Sequence, residues 1–87
     1  MAGYSIDTDR IVWRRIGDEV IVADIESGAY YTFEGPAQEI WEAVAAGGGL
    51  REAVDRVVAE YAVGRVEAEK DAKEFIGELE ANRLISS

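Results

Sequence analysis

Short apolar runs separated by turn residues occupy the first third of the chain, a pattern typical of β-strands. These runs cover residues 11–16, 20–25 and 29–33. Gly17-Asp18 suits a two-residue hairpin turn of type II′, which places glycine at its first central position. Because sequential strands joined by tight turns usually pair, we predict an antiparallel meander with the second strand in the middle.

From Gly35 onward the apolar residues recur every three or four positions, which predicts helices. Gly35-Pro36 marks a helix start, because glycine can serve as the N-cap and proline at the first helical position loses no hydrogen bond. The glycine run 47–49 ends this helix. A second apolar stripe follows and ends near Gly64, a candidate left-handed C-terminal cap. A third stripe predicts a helix over residues 67–81.

The predicted fold class is α+β, with a three-stranded antiparallel sheet followed by three helices that pack on one face of it. The chain has 87 residues, which is enough for one domain with one modest core. We assign residues 11–85 to this domain. The polar residues 1–10 are expected to form a flexible N-terminal arm.

The composition excludes several kinds of active site. The chain has no cysteine and no histidine, so a disulfide, a cysteine or histidine metal site and a Ser–His pair are all excluded. No nucleophile is paired with an evident base, and the glycine run lacks the lysine that follows it in a phosphate-binding loop. We therefore predict a protein that is not an enzyme and that uses no metal and no cofactor.

A net charge of −9 argues against two common classes of partner. A surface this acidic repels the phosphate backbone of nucleic acids and anionic lipid, so we expect neither nucleic acid nor a membrane as partner. A cationic partner is electrostatically favoured, although solubility alone also explains such a charge. The sequence shows no signal peptide and no apolar stretch that would span a membrane, so we expect a cytoplasmic protein.

The third predicted strand, residues 29–33, lies at an edge of the sheet and carries no charged side chain. Edge strands are usually protected by charge against pairing with other chains. Tyr31 and Phe33 share one face of this strand, where packing against the helices explains them. Packing does not explain the uncharged edge, so either another part of the fold covers it or it pairs with a second chain.

Four acidic residues form a narrow stripe on the third predicted helix. At about 100° per residue they lie together, beside the Phe75 edge of the apolar face. They are Glu67, Asp71, Glu74 and Glu78. The stripe is either a solvated helix face or the acidic wall of a groove whose floor is formed by Phe75, Ile76 or Leu79.

Several motifs follow one another in a recognisable order. They are Val12-Trp13-Arg14, Ile16-Gly17-Asp18-Glu19-Val20-Ile21-Val22, Asp24-Ile25-Glu26-Ser27-Gly28-Ala29-Tyr30-Tyr31, Phe33, Ile40-Trp41, Tyr61-Ala62-Val63 and Arg83-Leu84-Ile85. Their order and spacing over residues 11–85 resemble those of the PqqD-like family, the recognition elements for ribosomally made and post-translationally modified peptides. Phe33-Glu34-Gly35 departs from the family, which more often has Leu-Asn before the first helix.

The resemblance implies a winged helix-turn-helix-like domain that binds the leader segment of a precursor peptide. The leader would add as a strand to the third strand, with its side chains in the cleft beside the third helix, a mode called β-augmentation. The implied contact residues are Ala29, Tyr30, Tyr31, Thr32, Phe33, Asp71, Ala72, Phe75, Ile76 and Leu79, with Glu67, Glu74 and Glu78 as an electrostatic rim. Such a rim favours leaders that contain Lys or Arg.

The chain also looks like the standalone acidic members of the family that act in lasso-peptide biosynthesis. This likeness implies a separate leader peptidase as partner and a cyclase as a further candidate. The alternative within the family is a peptide chaperone for a radical enzyme in the biosynthesis of pyrroloquinoline quinone or of another modified peptide.

Two alternatives lie outside this family. A self-associating structural module would use the uncharged edge and form a dimer at micromolar concentration. A winged-helix nucleic-acid binder would show steep salt dependence on duplex DNA. We expect a monomer or a weak dimer.

Overall fold

The computed structural model describes residues 3–87 and contains a three-stranded sheet followed by three helices. The strands are β1 (Ile11–Ile16), β2 (Glu19–Asp24) and β3 (Ala29–Glu34), and the helices are α1 (Pro36–Ala45), α2 (Leu50–Glu60) and α3 (Arg65–Ala81). The predicted fold class and the predicted order of elements are therefore confirmed.

The sheet is an antiparallel meander in the order β1-β2-β3. The turn between β1 and β2 contains Gly17 with a φ of 62°, as the predicted hairpin requires. Side chains along each strand alternate between the two faces of the sheet. On the inner face, Val20 and Val22 of β2 are fully buried, and Phe33 and Tyr31 of β3 lie opposite them. The inner face therefore supplies the sheet's half of the core.

The core lies between this inner face and the three helices. Its largest fully buried side chain is Trp41 of α1, which meets Trp13 of β1 edge-on at a centroid distance of 6.0 Å. Val54 of α2, Leu79 of α3 and Leu84, which follows α3, complete the core. Burial of such side chains stabilises the fold by about 1.5–3 kcal/mol each. Within residues 3–87, no helix combines the length and the hydropathy that crossing a bilayer requires.

The observed helix boundaries confirm two of the three positions at which glycine was predicted to start or end a helix. Gly35 is the N-cap of α1 with a φ of 65°, and Pro36 takes the first helical position. After α1, Gly47 adopts the left-handed conformation with a φ of 95°. The prediction for Gly64 was wrong, because its φ is −72° and it is the N-cap of α3. α2 ends instead at Glu60, because the backbone of the C-cap residue Tyr61 is extended and does not continue the helix.

The N-terminal segment belongs to the domain from Tyr4 onward. The backbone N–H of Tyr4 donates to a carbonyl in the glycine run at 3.1 Å, and Ser5 pairs with Ser86 through backbone hydrogen bonds of 2.8 and 2.9 Å. Ile6 packs against the core. The prediction of a flexible arm is therefore corrected for residues 4–6, because Tyr4 and Ser5 have backbone partners in the domain and Tyr4 and Ile6 pack against its core. Residues 1 and 2 of the predicted arm lie outside the described residues.

A polar cluster joins α1, α2 and β1. Arg56 of α2 donates to the carboxylates of Glu39 and Glu42 in α1 at 3.0 Å each. Arg15 of β1 lies 3.6 Å from Glu42. Glu39 is buried, and a buried carboxylate is stable only with such charged partners. The cluster fixes α1 relative to α2 and to the β1 edge of the sheet.

Candidate functional site

The direction of the backbone groups in β3 follows from one hydrogen bond in the sheet. The N–H of Ile25 donates to the carbonyl of Arg10 at 3.0 Å, so Ile25 faces β1. In an antiparallel ladder, successive residues direct their backbone groups to alternate sides. Asp24 therefore faces β3, and its carbonyl accepts the N–H of Gly28 at 2.8 Å. The register then sets the direction of every residue in β3.

Two sets of β3 residues result from this register. The set that bonds to β2 is Ala29, Tyr31 and Phe33. The set whose N–H and C=O groups face away from the sheet is Tyr30, Thr32 and Glu34. No strand of residues 3–87 pairs with this second set. The β3 edge therefore presents free donors and acceptors at the spacing of an additional strand.

The inner side chains of β3 form an aromatic cluster with α1 and α3. Phe33 lies at its centre, 4.9 Å from Phe75 of α3 and 5.9 Å from Trp41, measured between ring centroids. The ring of Tyr31 lies 6.3 Å from that of Phe33. Tyr31, Phe33 and Phe75 are all half-buried. They form the floor of a cleft between the β3 edge and α3, which we call the β3–α3 cleft.

The acidic stripe lies along the α3 side of this cleft. Its members are Glu67, Asp71, Glu74 and Glu78, and all four are exposed. None of them takes part in an ion pair within residues 3–87. Helical geometry places the stripe next to Phe75, whereas Glu69, on another face of α3, pairs with Lys73 at 3.7 Å. The cleft therefore has a negative rim whose four carboxylates form no ion pair within residues 3–87.

Three of the predicted contact residues do not reach the open side of the cleft. Ala72, Ile76 and Leu79 are only 0%, 3% and 2% exposed. Around the helix they lie about 40–100° away from Phe75, toward the core. Their predicted role as direct contacts is therefore corrected, and they pack beneath Phe75 instead. Of the predicted α3 contacts, Asp71 and Phe75 are accessible.

The outer face of the sheet exposes apolar side chains around Arg14, which the sequence did not lead us to predict. Val12 and Ile16 of β1 are 52% and 49% exposed, and Tyr30 of β3 is 76% exposed. Ile21 and Ala23 of β2 lie half-buried between them. Nothing within residues 3–87 covers this face. The available signal was β2 itself, which is apolar on both faces although helices pack on only one.

The turn that leads into β3 is organised by Asp24. Its Oδ1 accepts the backbone N–H groups of Glu26 and Ser27 at 3.0 and 3.2 Å, and its Oδ2 accepts a hydrogen bond from Arg10 at 2.7 Å. Burial alone would raise the pKa of Asp24, but these hydrogen bonds and the Arg10 charge together hold that pKa below its ordinary value. The charged carboxylate therefore positions the start of β3.

The chemistry of the cleft is that of recognition. Within residues 3–87, no three acidic side chains are grouped in a way that would hold a metal ion. The cleft combines a free backbone edge, an aromatic floor and a negative rim. Together these groups suit an extended peptide that contains apolar and basic residues.

The sequence profile of one protein family matches most of the chain. The family is described as Coenzyme PQQ synthesis protein D (PqqD), and the match covers residues 19–85. The chain belongs to the PqqD family. The PqqD match includes β2, β3 and all three helices, and so contains both walls of the cleft. No curated protein sequence matches the chain at a significant level.

Solved structures also resemble this PqqD-family chain. TbiB1 in complex with the TbiA(beta) leader peptide is 30% identical, with a TM-score of 0.85 and coverage of 95% of each chain. A lasso peptide synthetase B1 complexed with the leader peptide is 21% identical, with a TM-score of 0.83 and coverage of 99% of this chain and 100% of the other. The second likeness shows the fold alone, whereas the first extends to the sequence.

Proposed function

We propose that this protein binds the leader segment of a ribosomally synthesised precursor peptide by β-augmentation at β3. The free backbone groups of Tyr30, Thr32 and Glu34 carry this proposal, because an added strand would satisfy them directly. The similarity to TbiB1, whose solved structure holds a leader peptide, supports it. In this proposal the protein is a binding module and not an enzyme.

In this mode the leader lies along β3 from Ala29 to Phe33. Side chains of an added strand alternate between the two faces of the extended sheet. Every second leader side chain would therefore point into the β3–α3 cleft, toward Phe33 and Phe75. The others would lie on the outer face, beside Tyr30 and Thr32. Backbone hydrogen bonds supply affinity, and the aromatic floor selects apolar leader residues at alternate positions.

The acidic stripe adds a preference for basic leaders. Asp71, Glu74 and Glu78 have no cationic partner within residues 3–87, so a Lys or Arg of the leader would meet free carboxylates. Exposed pairs of this kind contribute about 0.2–1 kcal/mol each and weaken with salt. The stripe therefore contributes more to selectivity and to the rate of association than to total affinity.

We infer that the bound leader is presented to a separate leader peptidase of a lasso-peptide pathway, with a cyclase as a further partner. This pathway follows from the sequence resemblance described above, and a lasso peptide synthetase B1 shares the fold on which it depends. The apolar outer face of the sheet offers a surface for the peptidase. It meets the β3 edge at Tyr30, which is 76% exposed, and a leader added as a strand would extend the sheet beside this face and not over it.

The second candidate is a role beside a radical enzyme in pyrroloquinoline quinone biosynthesis, which the description of the matched family favours. Both roles use the same leader site and differ in the enzyme that receives the peptide.

Calorimetric titration with synthetic leader peptides of neighbouring precursor genes tests the binding proposal. We expect one of them to bind with a micromolar or lower Kd. If the folded protein binds none of them, the proposal is wrong. Analytical ultracentrifugation of the same samples separates a leader binder from a self-associating module, which would be dimeric without any peptide.

Enzyme assays with the bound leader separate the two pathways. In the lasso pathway, this protein would accelerate cleavage of the precursor by the leader peptidase. In the alternative pathway, it would accelerate modification of the precursor by the radical enzyme and leave the peptidase reaction unchanged.

A further inference from the structure

One arginine links the end of β2, just before the turn into β3, to the segment that follows α3. Arg10 precedes β1, and its side chain is half-buried. Its Nη1 donates to Oδ2 of Asp24 at 2.7 Å, and its Nη2 donates to the backbone carbonyl of Arg83. Asp24 holds the turn before β3, and Arg83 follows α3. A single guanidinium therefore ties the turn that leads into β3 to the segment that closes α3.

The helix end of this connection has a defined conformation. Arg83 is left-handed, with a φ of 60°, and its N–H donates to the carbonyl of Glu80 at 3.0 Å. Leu84 donates to the carbonyl of Leu79 at 2.9 Å. These two bonds form the Schellman arrangement that closes a helix C-terminus. Because these backbone bonds tie Arg83 and Leu84 to the last turn of α3, the hydrogen bond from Arg10 to Arg83 also holds that turn.

The walls touch at a second point, where Phe33 contacts Phe75. From Phe75 to Arg83 the helix advances about 12 Å. From Phe33 back to Ala29 the strand advances about 13 Å. α3 therefore runs antiparallel to β3, with the aromatic contact near one end of this span and Arg10 at the other.

We propose that Arg10 is a positioning residue that sets the width of the β3–α3 cleft and thereby the affinity for a leader peptide. This inference rests on the proposed function. Arg10 acts through the backbone that it holds and needs no contact with the leader. Arginine suits this role because its planar guanidinium carries several donors in fixed positions, whereas lysine carries one flexible ammonium. Walls that are already in place spare the leader the cost of ordering them.

The absence of cysteine allows two spin labels to report the cleft width. The labels are attached through Glu26→Cys, in the turn before β3, and Glu80→Cys, on α3. Both positions are exposed. Distances between the two labels are measured by pulsed electron–electron double resonance. The doubly labelled chain with Arg10 is compared with the same chain carrying Arg10→Lys or Arg10→Met. We expect a narrow distance distribution with Arg10 and a broad one in both variants, because neither side chain has two nitrogens that can reach Asp24 and Arg83 together.

The unlabelled Arg10 variants are then titrated with the leader peptide. We expect both to bind about tenfold more weakly. Arg10→Lys should keep more of the thermal stability, because it retains a positive charge beside Asp24. If Arg10 served stability alone, affinity would follow the melting temperature and the distance distribution would stay narrow. That result would overturn the inference.

Arg56→Lys is the matched control. Arg56 likewise bridges two acceptors, the carboxylates of Glu39 and Glu42, but it joins α2 to α1 and lies away from β3 and α3. We expect it to leave both the distance distribution and leader affinity unchanged. If the wild-type chain binds no leader, the proposed function fails, and the distance distributions still decide whether Arg10 sets the cleft width. If the wild-type chain binds and the Arg10 variants match it, the inference about Arg10 alone fails.

Discussion

The two edge strands of the sheet differ in how accessible their free backbone N–H and C=O groups are to a second chain. On β1, Arg14 and Arg15 place two positive charges along the edge. The chain before β1 also turns back, so that the carbonyl of Asp7 accepts the N–H of Ile11 at 2.8 Å. Charge and local pairing of this kind prevent a second chain from adding to an edge. β1 is therefore a protected edge.

On β3 the same kind of backbone is left accessible. No charged side chain precedes Glu34 in this strand, and Phe75 of α3 contacts Phe33 beside the free edge. An incoming strand would find both hydrogen-bonding groups and an apolar floor. The comparison indicates that an uncharged edge is informative when the opposite edge of the same sheet is protected, because the fold then treats the two differently.

A proline substitution in each edge strand tests the difference between β1 and β3 most directly. Thr32 directs its N–H away from the sheet, so Thr32→Pro removes a donor for an added strand and leaves the hydrogen bonds to β2 intact. We expect leader affinity to fall about 100-fold. The lost hydrogen bond and the unsatisfied leader carbonyl together cost about 2–3 kcal/mol. Titration calorimetry measures the change.

Arg15→Pro is the control on the other edge, because the N–H of Arg15 also faces away from β2. Its leader affinity should stay within about twofold of the wild type. Equal losses at Thr32 and Arg15 would contradict the assignment of the leader to β3.

Removal of the aromatic floor should have the next largest effect. Phe75→Ala deletes the ring that contacts Phe33, and we expect leader affinity to fall about tenfold. The free energy of unfolding should fall by roughly 2 kcal/mol, since the ring is half-buried. Val66→Ala is the control on the same helix, where the side chain is 86% exposed. Unchanged affinity in Phe75→Ala, measured beside chemical denaturation, would place the leader away from α3.

A charge exchange on α3 separates the local effect of the stripe from net charge. Glu74→Lys with Glu78→Lys should weaken the binding of a basic leader about fivefold at low salt, and less at high salt. Glu69→Lys with Glu80→Lys makes the same change in net charge on another face of the helix. Titrations at two salt concentrations should show a smaller loss in this second pair. Equal losses would reduce the stripe to a solvated face.

The smallest expected effect concerns the turn between β2 and β3. Because the pKa of folded Asp24 is lowered, its stabilising contribution is complete above about pH 4 and is lost as the pH falls further. Asp24→Asn should lower the melting temperature at pH 7 and make its decline below pH 4 shallower. Thermal melts from pH 3 to 7 measure both, and parallel curves for the two proteins would refute the role of the carboxylate.

Local signals explain why the order of elements was predictable from the sequence. The turn at Gly17 and the helix start at Gly35 depend on the conformations that single residues and their neighbours adopt. Gly64 shows the limit of such signals, because glycine is accepted both after one helix and before the next. Which role it plays depends on where α2 stops packing, and the local sequence does not contain that information.

For the candidate site as well, local patterns were predictable from the sequence and contacts that depend on packing were not. Strand alternation placed Tyr31 and Phe33 on one face, and helical spacing placed the acidic stripe beside Phe75. Helical spacing alone did not separate residues that line the cleft from residues of the core. Ile76 was therefore assigned to the cleft although it is buried. Arg10 was missed because its partners Asp24 and Arg83 come together only when the sheet and α3 have packed.

The backbone bridge between Ser5 and Ser86 has a consequence for the order of folding. β1, β2 and β3 are joined by short turns, so their contacts close small loops, whereas this bridge closes a loop of nearly the whole chain. During synthesis it cannot form before Ser86 has left the ribosome. We expect it to form last and to open first, so that amide exchange at these two serines reports fraying of the ends and not global unfolding.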